Sequence, residues 1–113
     1  MSVVAALDNA RSELFRALGH PVRVRVLELL HDGPKTVRHL LEATALEGSG
    51  LSHQLAVLRG TGLVVARRDG NTVEYSLGAA EVAALLLAAR EVVAGLAAGQ
   101  GQLLAELRVE HTW

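Results

Sequence analysis

The stretch from Ser49 to Leu77 constrains the fold more than any other, because its hydrophobic period changes partway along. Its first third places Leu51, Leu55 and Leu58 at i, i+4 and i+7, which predicts a helix with one apolar edge. The residues after it alternate between apolar and polar, which is the period of a strand. The pattern therefore predicts a helix that leads directly into a small sheet.

The strands of that sheet are predicted at Val64–Arg67 and Val73–Leu77. Between them lies Arg68-Asp69-Gly70-Asn71, whose Asp-Gly and Gly-Asn pairs tolerate the positive φ angles of a hairpin turn. The turn carries arginines at its tip. A slim helix followed by a basic-tipped hairpin is typical of a winged helix that binds DNA, and we expect the rest of the chain to support it and to pair it with a second copy.

Three further helices are predicted before the helix that begins at about Ser49, which is called the recognition helix below. Apolar periodicity gives a first helix over Asp8–Leu18 and a second from Pro21 to about His31, with Arg23 pointing to solvent. Thr36 has the side chain of an N-cap residue and predicts a third helix over Val37–Thr44. The third helix and the recognition helix then form a helix-turn-helix.

The last predicted helix, Ala79 to about Leu107, is apolar around most of its circumference. Such a helix must be buried on more than one side, which one small domain can hardly achieve, so a partner chain is implied. Gly95 and Gly99 would let another helix approach closely, or they mark a kink or break. The charged pair Arg90-Glu91 lies in the middle, where a membrane span would not tolerate it, so no membrane partner is expected.

Length and charge agree with a small DNA-binding protein. The 113 residues predict one domain, with residues 8–78 as the DNA-binding core and 79–113 as a dimerisation helix and tail. The net charge of −1 is unevenly distributed: residues 11–68 hold nine basic and five acidic residues, whereas 69–113 hold two and six. Because cysteine is absent, disulfides and thiolate metal sites are excluded. The absence of cysteine and of a visible signal peptide favours the cytoplasm.

Three segments carry a family resemblance: ALGHPVRVRVLELL, SGLSHQLAVLRGTGLV and RRDGNTVEYSL. In this order and spacing, across roughly Leu14–Leu77, they resemble the ArsR/SmtB family of bacterial winged helix-turn-helix regulators. The resemblance implies a mainly α fold with a β-hairpin wing, and a homodimer built from the first and last helices that binds an inverted-repeat operator in double-stranded DNA. For the dimer interface we predict Leu14, Phe15, Leu85, Leu86, Ala89, Val93 and Leu96.

The predicted DNA contacts lie on the recognition helix, the wing and the start of the third helix. Short or hydrogen-bonding side chains on the recognition helix suit base edges, and His53 ranks above Gln54, which periodicity places nearer the buried side. Cationic side chains suit phosphates. The full set is Lys35, Thr36, Ser49, Ser52, His53, Gln54, Arg59, Arg67, Arg68 and Asn71.

Members of the family often respond to a metal ion or another small inducer, and the familiar metal ligands are missing here. Thr36 and Arg38 stand where one family site has a Cys-x-Cys, and His39 stands where some members have an aspartate ligand. Nitrogen and oxygen donors without thiolates would favour nickel, zinc or cobalt. The candidate ligands are His31, His39, Glu106, Glu110 and His111. A co-regulator protein or small effector is the alternative source of a signal.

Catalysis is not expected. Ser52 and His53 are neighbours on a helix and point about 100° apart, so they cannot act as nucleophile and base. The alternative to a DNA-binding regulator is a protein-interaction module, whose Ala/Leu-rich last helix docks onto a different chain.

Overall fold

The computed structural model describes residues 2–110, and their side chains except those of 103–105 and 107–110. Its elements, in chain order, are α1 (Val3–Leu18), α2 (Pro21–His31), β1 (Lys35–Thr36), α3 (Val37–Thr44), α4 (Gly48–Gly60), β2 (Val64–Asp69), β3 (Thr72–Leu77) and α5 (Ala80–Glu110). The chain divides into two units, one up to Ala83, called the winged unit below, and one from Ala84 onward.

The first helix begins at Val3, five residues before the predicted start at Asp8. Ser2 is its N-cap, and the Ser2 hydroxyl accepts a hydrogen bond from the backbone N–H of Ala5 at 3.1 Å. A side-chain oxygen in this position satisfies one of the helix's unpaired N–H groups. The prediction of the start was wrong, since Val3, Val4 and Leu7 already have helical spacing and the cap lies before them.

The second and third helices have the predicted bounds. His20 caps α2, since its Nδ1 accepts from the N–H of Val22 at 3.2 Å, and proline follows at the first helical position, where its missing N–H costs nothing. Thr36 caps α3, and its Oγ1 accepts from the N–H of His39 at 3.2 Å. The capping prediction for Thr36 is confirmed, and the cap at His20 is an additional finding.

The core of the winged unit consists of aliphatic side chains from α2, α3, α4 and the start of β2. Six of them are essentially inaccessible to solvent: Leu27, Leu40, Leu51, Leu58, Val26 and Val64. Each buried leucine or valine stabilises the fold by about 1.5–3 kcal/mol relative to exposure. In the described part of the chain no charged side chain is buried.

The wing is the β2–β3 hairpin, and β1 adds a third strand to it in an antiparallel sheet of order β1-β3-β2. The strand β1 was not predicted, because two residues are too short for any periodicity; it pairs Lys35 with Tyr75 and Thr36 with Glu74. Strands β2 and β3 pair through Asp69↔Thr72. The turn is therefore two residues rather than the predicted four.

The base of the hairpin depends on a glycine. The N–H of Gly78 donates to the carbonyl of Leu63 at 2.9 Å, which joins the end of β3 to the start of β2. A Cβ at Gly78 would lie 2.1 Å from the carbonyl oxygen of Gly62. The two backbone segments can approach this closely only because residue 78 has no side chain.

The last helix runs without a break through Gly95 and Gly99, so the break that the sequence left open does not occur. Its stretch Ala80–Gln102 has a mean hydropathy of 1.8 and is long and apolar enough to cross a membrane, by length and composition only. One such helix is weak support for a membrane protein, and Arg90 and Glu91 lie near its middle. We interpret it as a helix that another protein surface covers.

Candidate nucleic-acid interface

The recognition helix α4 has one buried and one exposed face, as its period predicts. Leu51, Leu55 and Leu58 are 0–2% exposed, so the helix is anchored along this edge. The remaining face is open to solvent and carries Ser49, Ser52, His53, Ala56 and Arg59. These side chains are short or end in hydrogen-bonding groups, which lets the helix backbone approach the edges of base pairs in a major groove.

The turn before α4 fixes where this face begins. Ala45 ends α3 in the left-handed conformation, with φ 56°, and its N–H donates to the carbonyl of Leu41 at 3.0 Å. Glu47 then precedes α4 without making a side-chain capping bond. The N–H groups of the first turn of α4 are therefore not capped by that side chain, and such groups bind phosphate oxygens well.

Lys35 and Thr36 lie together on β1, next to the start of α3. The Lys35 ammonium donates to the carbonyl of Gly33 at 3.2 Å and is half-buried. The hydroxyl of Thr36 accepts the capping bond from α3, which leaves its own O–H as a donor. The geometry suits a threonine that caps a helix and donates to a phosphate with the same oxygen.

The wing presents its two arginines on opposite faces, because successive side chains of a strand alternate. Arg68 lies opposite Val73, whereas Arg67 lies directly opposite Glu74 on β3. Both arginines are exposed, and so is Asn71 in the turn. In the described part of the chain neither arginine makes an ion pair with a carboxylate. Both are available to phosphates, and Arg67 has the more acidic surroundings.

One residue lies differently from what the sequence indicates, whereas Gln54 is half-buried as its period predicts. Arg23 does not point to solvent: it is half-buried and its guanidinium donates to the carbonyls of Arg16 at 3.2 Å and Ala17 at 2.6 Å. A third bond runs from its Nη1 to the Oε1 of Gln54 at 3.1 Å. Arg23 and Gln54 are 31 positions apart, and no local pattern reveals such a pairing.

The predicted dimer residues differ in how much surface they offer within one chain. Phe15, Val93 and Leu96 are 60–64% exposed, whereas Leu14 and Leu85 are half-buried and Leu86 is 4% exposed. Ala89 is exposed. Phe15, Val93 and Leu96 therefore have the most apolar surface left for a partner, and the interface as a whole stays a prediction.

The metal candidates do not form a site within one chain. His31, His39 and Glu106 are exposed, and the side chain of Glu110 and the whole of His111 lie outside the described residues. Across the residues that the structure describes, no three histidine, aspartate or glutamate side chains are grouped so as to hold a metal ion. A site shared between two protomers stays a prediction.

Comparisons with known proteins agree on one family. The family model described as bacterial regulatory protein, arsR family, matches residues 20–65. The HTH-type transcriptional regulator Rv0081 of Mycobacterium tuberculosis is 46% identical over 103 residues, 90% of each chain, and a probable mercury resistance operon repressor of Streptomyces lividans is 36% identical over 80% of this chain and 72% of that protein.

Solved structures are similar over most of the chain. The crystal structure of Rv0081 has a TM-score of 0.79 at 42% identity and covers 88% of this chain and 98% of that one. The homodimeric winged helix-turn-helix DNA-binding domain of Mb0332 from Mycobacterium bovis has a TM-score of 0.77 at 30% identity, over 82% of this chain and 86% of that one.

Proposed function

The chain belongs to the ArsR family of bacterial regulatory proteins, and from that premise we propose that α4, β1 and the β2–β3 hairpin form its operator-binding surface. The protein is a DNA-binding transcriptional regulator of the ArsR/SmtB type that acts as a homodimer, and it is not an enzyme. As a regulator that contacts the chromosome, it works in the cytoplasm.

The exposed face of α4 supports this assignment most directly. Three leucines hold one edge of the helix in the core, while Ser49, Ser52 and His53 at its N-terminal end are exposed. Helix-turn-helix proteins contact bases mainly with the N-terminal residues of the second helix. We assign Arg59, at the other end of α4, to a phosphate contact.

Charge on the surrounding elements supplies the affinity that does not depend on sequence. Lys35 on β1, Arg59 on α4, and Arg67 and Arg68 on the wing give four cations per protomer. Three other arginines of the winged unit pair with acids on their own helices, as Arg11 does with Asp8 at 3.5 Å. The four cations are therefore the main candidates for neutralising phosphates.

A homodimer repeats this surface about a two-fold axis, which predicts an inverted-repeat operator. The two half-sites should be separated by about one turn of DNA, roughly 10 base pairs from centre to centre. Apolar side chains exposed on α1 and α5, such as Phe15 and Leu96, would be covered by the second copy.

The test is the salt dependence of binding to duplexes from upstream of the gene, measured by fluorescence anisotropy. Eight phosphate contacts per dimer predict a slope of log K against log salt of about −7. Arg68→Ala should reduce the steepness by about 1.8, since each dimer loses two contacts. Arg11→Ala, which removes an arginine paired with Asp8 on α1, is the control and should leave the slope unchanged.

Two results would contradict the proposal. A binding constant independent of salt would mean that the cations do not contact phosphates. A protein that shifts no duplex alone, and shifts one only when a second protein is added, would favour the protein-interaction module instead.

We further propose that an effector or a co-regulator protein controls binding, and that a metal effector would be nickel, zinc or cobalt. The name of the Streptomyces lividans relative connects that protein with mercury resistance; the present chain has no cysteine, and its candidate donors are nitrogen and oxygen. Calorimetry with each of the three metals on the wild type and on His39→Ala tests this, and no heat of binding from any of them removes the metal proposal.

A further inference from the structure

The side chain of Arg23 joins three helices of the winged unit, α1, α2 and α4. We infer that Arg23 is a positioning residue for operator recognition: its guanidinium fixes α4 relative to α1, and Gln54 is the anchor on α4 that it holds, not a residue that contacts bases. This rests on the proposed function, since it concerns how the operator-binding surface is oriented.

On the α1 side, Arg23 donates to two carbonyls at the end of the helix, and the carbonyl of Arg16 also accepts from the N–H of Gly19 at 3.2 Å. The Nε of Arg23 donates to the carbonyl of Ala17 at 2.6 Å and its Nη2 to that of Arg16 at 3.2 Å. Both carbonyls belong to the last turn of α1, where a helix lacks internal donors. The positive charge also lies where the negative end of the helix dipole favours it.

On the α4 side, Arg23 determines which way the Gln54 amide points. The guanidinium has only donors, so Gln54 must present its oxygen, as the bond from Nη1 to Oε1 at 3.1 Å has it. A glutamine that recognises adenine uses both its oxygen and its nitrogen on the base. Here the oxygen is engaged by Arg23 and the side chain is half-buried.

The connection matters because α1 and α4 have different tasks. Helix α1 exposes Val4, Leu7 and Phe15, which are 53–67% exposed and suit the contact with the second copy, whereas α4 enters the DNA. Because the planar guanidinium is bonded to both α1 and α4, it holds α4 relative to α1 more rigidly than the connecting loops would. Since α1 contacts the second copy, this also sets the distance between the α4 helices of the two protomers. Lysine cannot replace it, since one ammonium lacks the fixed fork of donors.

The separation of the two α4 helices can be measured without DNA. The chain has no cysteine, so Ala56→Cys on the exposed face of α4 accepts one spin label per protomer. Double electron–electron resonance then gives the distance distribution between the labels in the dimer. We expect Arg23→Met and Arg23→Lys to broaden or shift that distribution. Arg25→Met, which changes an exposed arginine of the same helix, is the matched control and should not.

DNA binding supplies a second readout. Arg23→Met should lower the affinity for the operator relative to random duplex by about tenfold, with the salt slope unchanged because no phosphate contact is lost. A slope reduced by about 1.8 would mean that Arg23 itself contacts phosphate in both protomers, and would overturn the inference.

Variants of Gln54 separate an anchor from a base contact. Gln54→Glu keeps an acceptor for Arg23, so the preference for each operator base should be retained. Gln54→Met should weaken the preference at all positions of a half-site together, and the double variant with Arg23→Met should be no worse than either single variant. Loss of preference at one base position alone would make Gln54 a base-contacting residue and overturn the assignment.

The two readouts separate the failure of this inference from failure of the proposed function. If the wild type binds no duplex, the operator-binding surface is wrong, and the distance distribution still decides the role of Arg23. Circular dichroism on each variant confirms that the helices are intact. A distribution that is identical in Arg23→Met, Arg25→Met and the labelled wild type overturns the inference.

Discussion

The winged unit and the helix from Ala84 onward differ in what a single chain provides. In the winged unit, α2, α3 and α4 each bury leucines in the core, and three helices have side-chain caps. In α5 the large apolar side chains at Val92, Val93 and Leu96 are 60–64% exposed, and only 11% of the apolar stretch is buried.

This difference indicates that the sequence determines both the fold of a single chain and its association with a second chain. The winged unit encodes its own core, so its period, caps and turns all agree with the fold of one chain. The last helix encodes an association, since its apolar surface has no cover until a second chain supplies it. Substitutions in the buried core of the winged unit and on the exposed surface of α5 should therefore affect different equilibria, folding in the first case and dimerisation in the second.

The largest effect is expected from Val93→Glu, which places a charge on the exposed apolar surface of α5. Each buried valine contributes about 1.5–3 kcal/mol, and two copies are lost per dimer, so the dimer dissociation constant should rise by about 1000-fold. Sedimentation velocity over a range of concentrations measures it. Val65→Glu, at a valine of the wing that is 49% exposed, is the control and should leave dimerisation unchanged.

If Val93→Glu dimerises as tightly as the wild type, the second region does not encode the association and the comparison between the two regions fails.

The next largest effect is expected from Gly78→Ala, which should lower the free energy of unfolding and leave dimerisation unchanged. Gly78→Ala would place a methyl group 2.1 Å from the carbonyl oxygen of Gly62, and backbone atoms cannot give way as a flexible side chain would. We expect a loss of about 3 kcal/mol in the free energy of unfolding, measured by urea denaturation. Gly60→Ala, where the added Cβ would meet nothing within 4 Å, should be neutral or slightly stabilising. Equal losses in both variants would contradict this.

Much of the first region could be predicted from local sequence, and the reasons are physical. His20 and Thr36 act as caps on the residues that follow them, so their role depends on a few neighbouring positions. The buried edge of α4 follows from the helical period. Such features depend on contacts within one turn of a helix.

The rest depends on contacts that are distant in sequence. Periodicity places Arg23 on the outside of α2 and cannot show that α1 ends and α4 passes beside it. The pairing of Lys35 with Tyr75 makes a strand from two residues, which no period can predict. The DNA contacts and the dimer residues stay predictions for a related reason: their partners belong to other molecules.

A smaller effect is expected at the turn between α3 and α4. Ala45 has φ 56°, a conformation that costs an L-residue about 1 kcal/mol and glycine almost nothing. Ala45→Gly should therefore stabilise the winged unit by about 0.5–1 kcal/mol in urea denaturation, even though it adds backbone freedom to the unfolded chain. Ala56→Gly, within α4, is the matched control and should destabilise by about 1 kcal/mol. If Ala45→Gly lowers the free energy of unfolding as Ala56→Gly does, then Ala45 is not strained.

The smallest effect is expected when one glutamate in each region is replaced by glutamine. Glu74 lies opposite Arg67 across the wing and beside Thr36 across β1, so its carboxylate lies in a row with two predicted phosphate contacts. Glu74→Gln should raise operator affinity by about two- to threefold, because cross-strand charge pairs contribute about 0.2–1 kcal/mol. Glu91→Gln on α5 changes the net charge equally, and a general electrostatic effect would give it the same gain. In an Arg67→Ala background the gain from Glu74→Gln should shrink, since the arginine that the carboxylate competes for is gone. If both glutamine variants gain equally in the wild-type background, the acid acts through the overall charge of the protein, and the wing is no more sensitive to charge than the last helix.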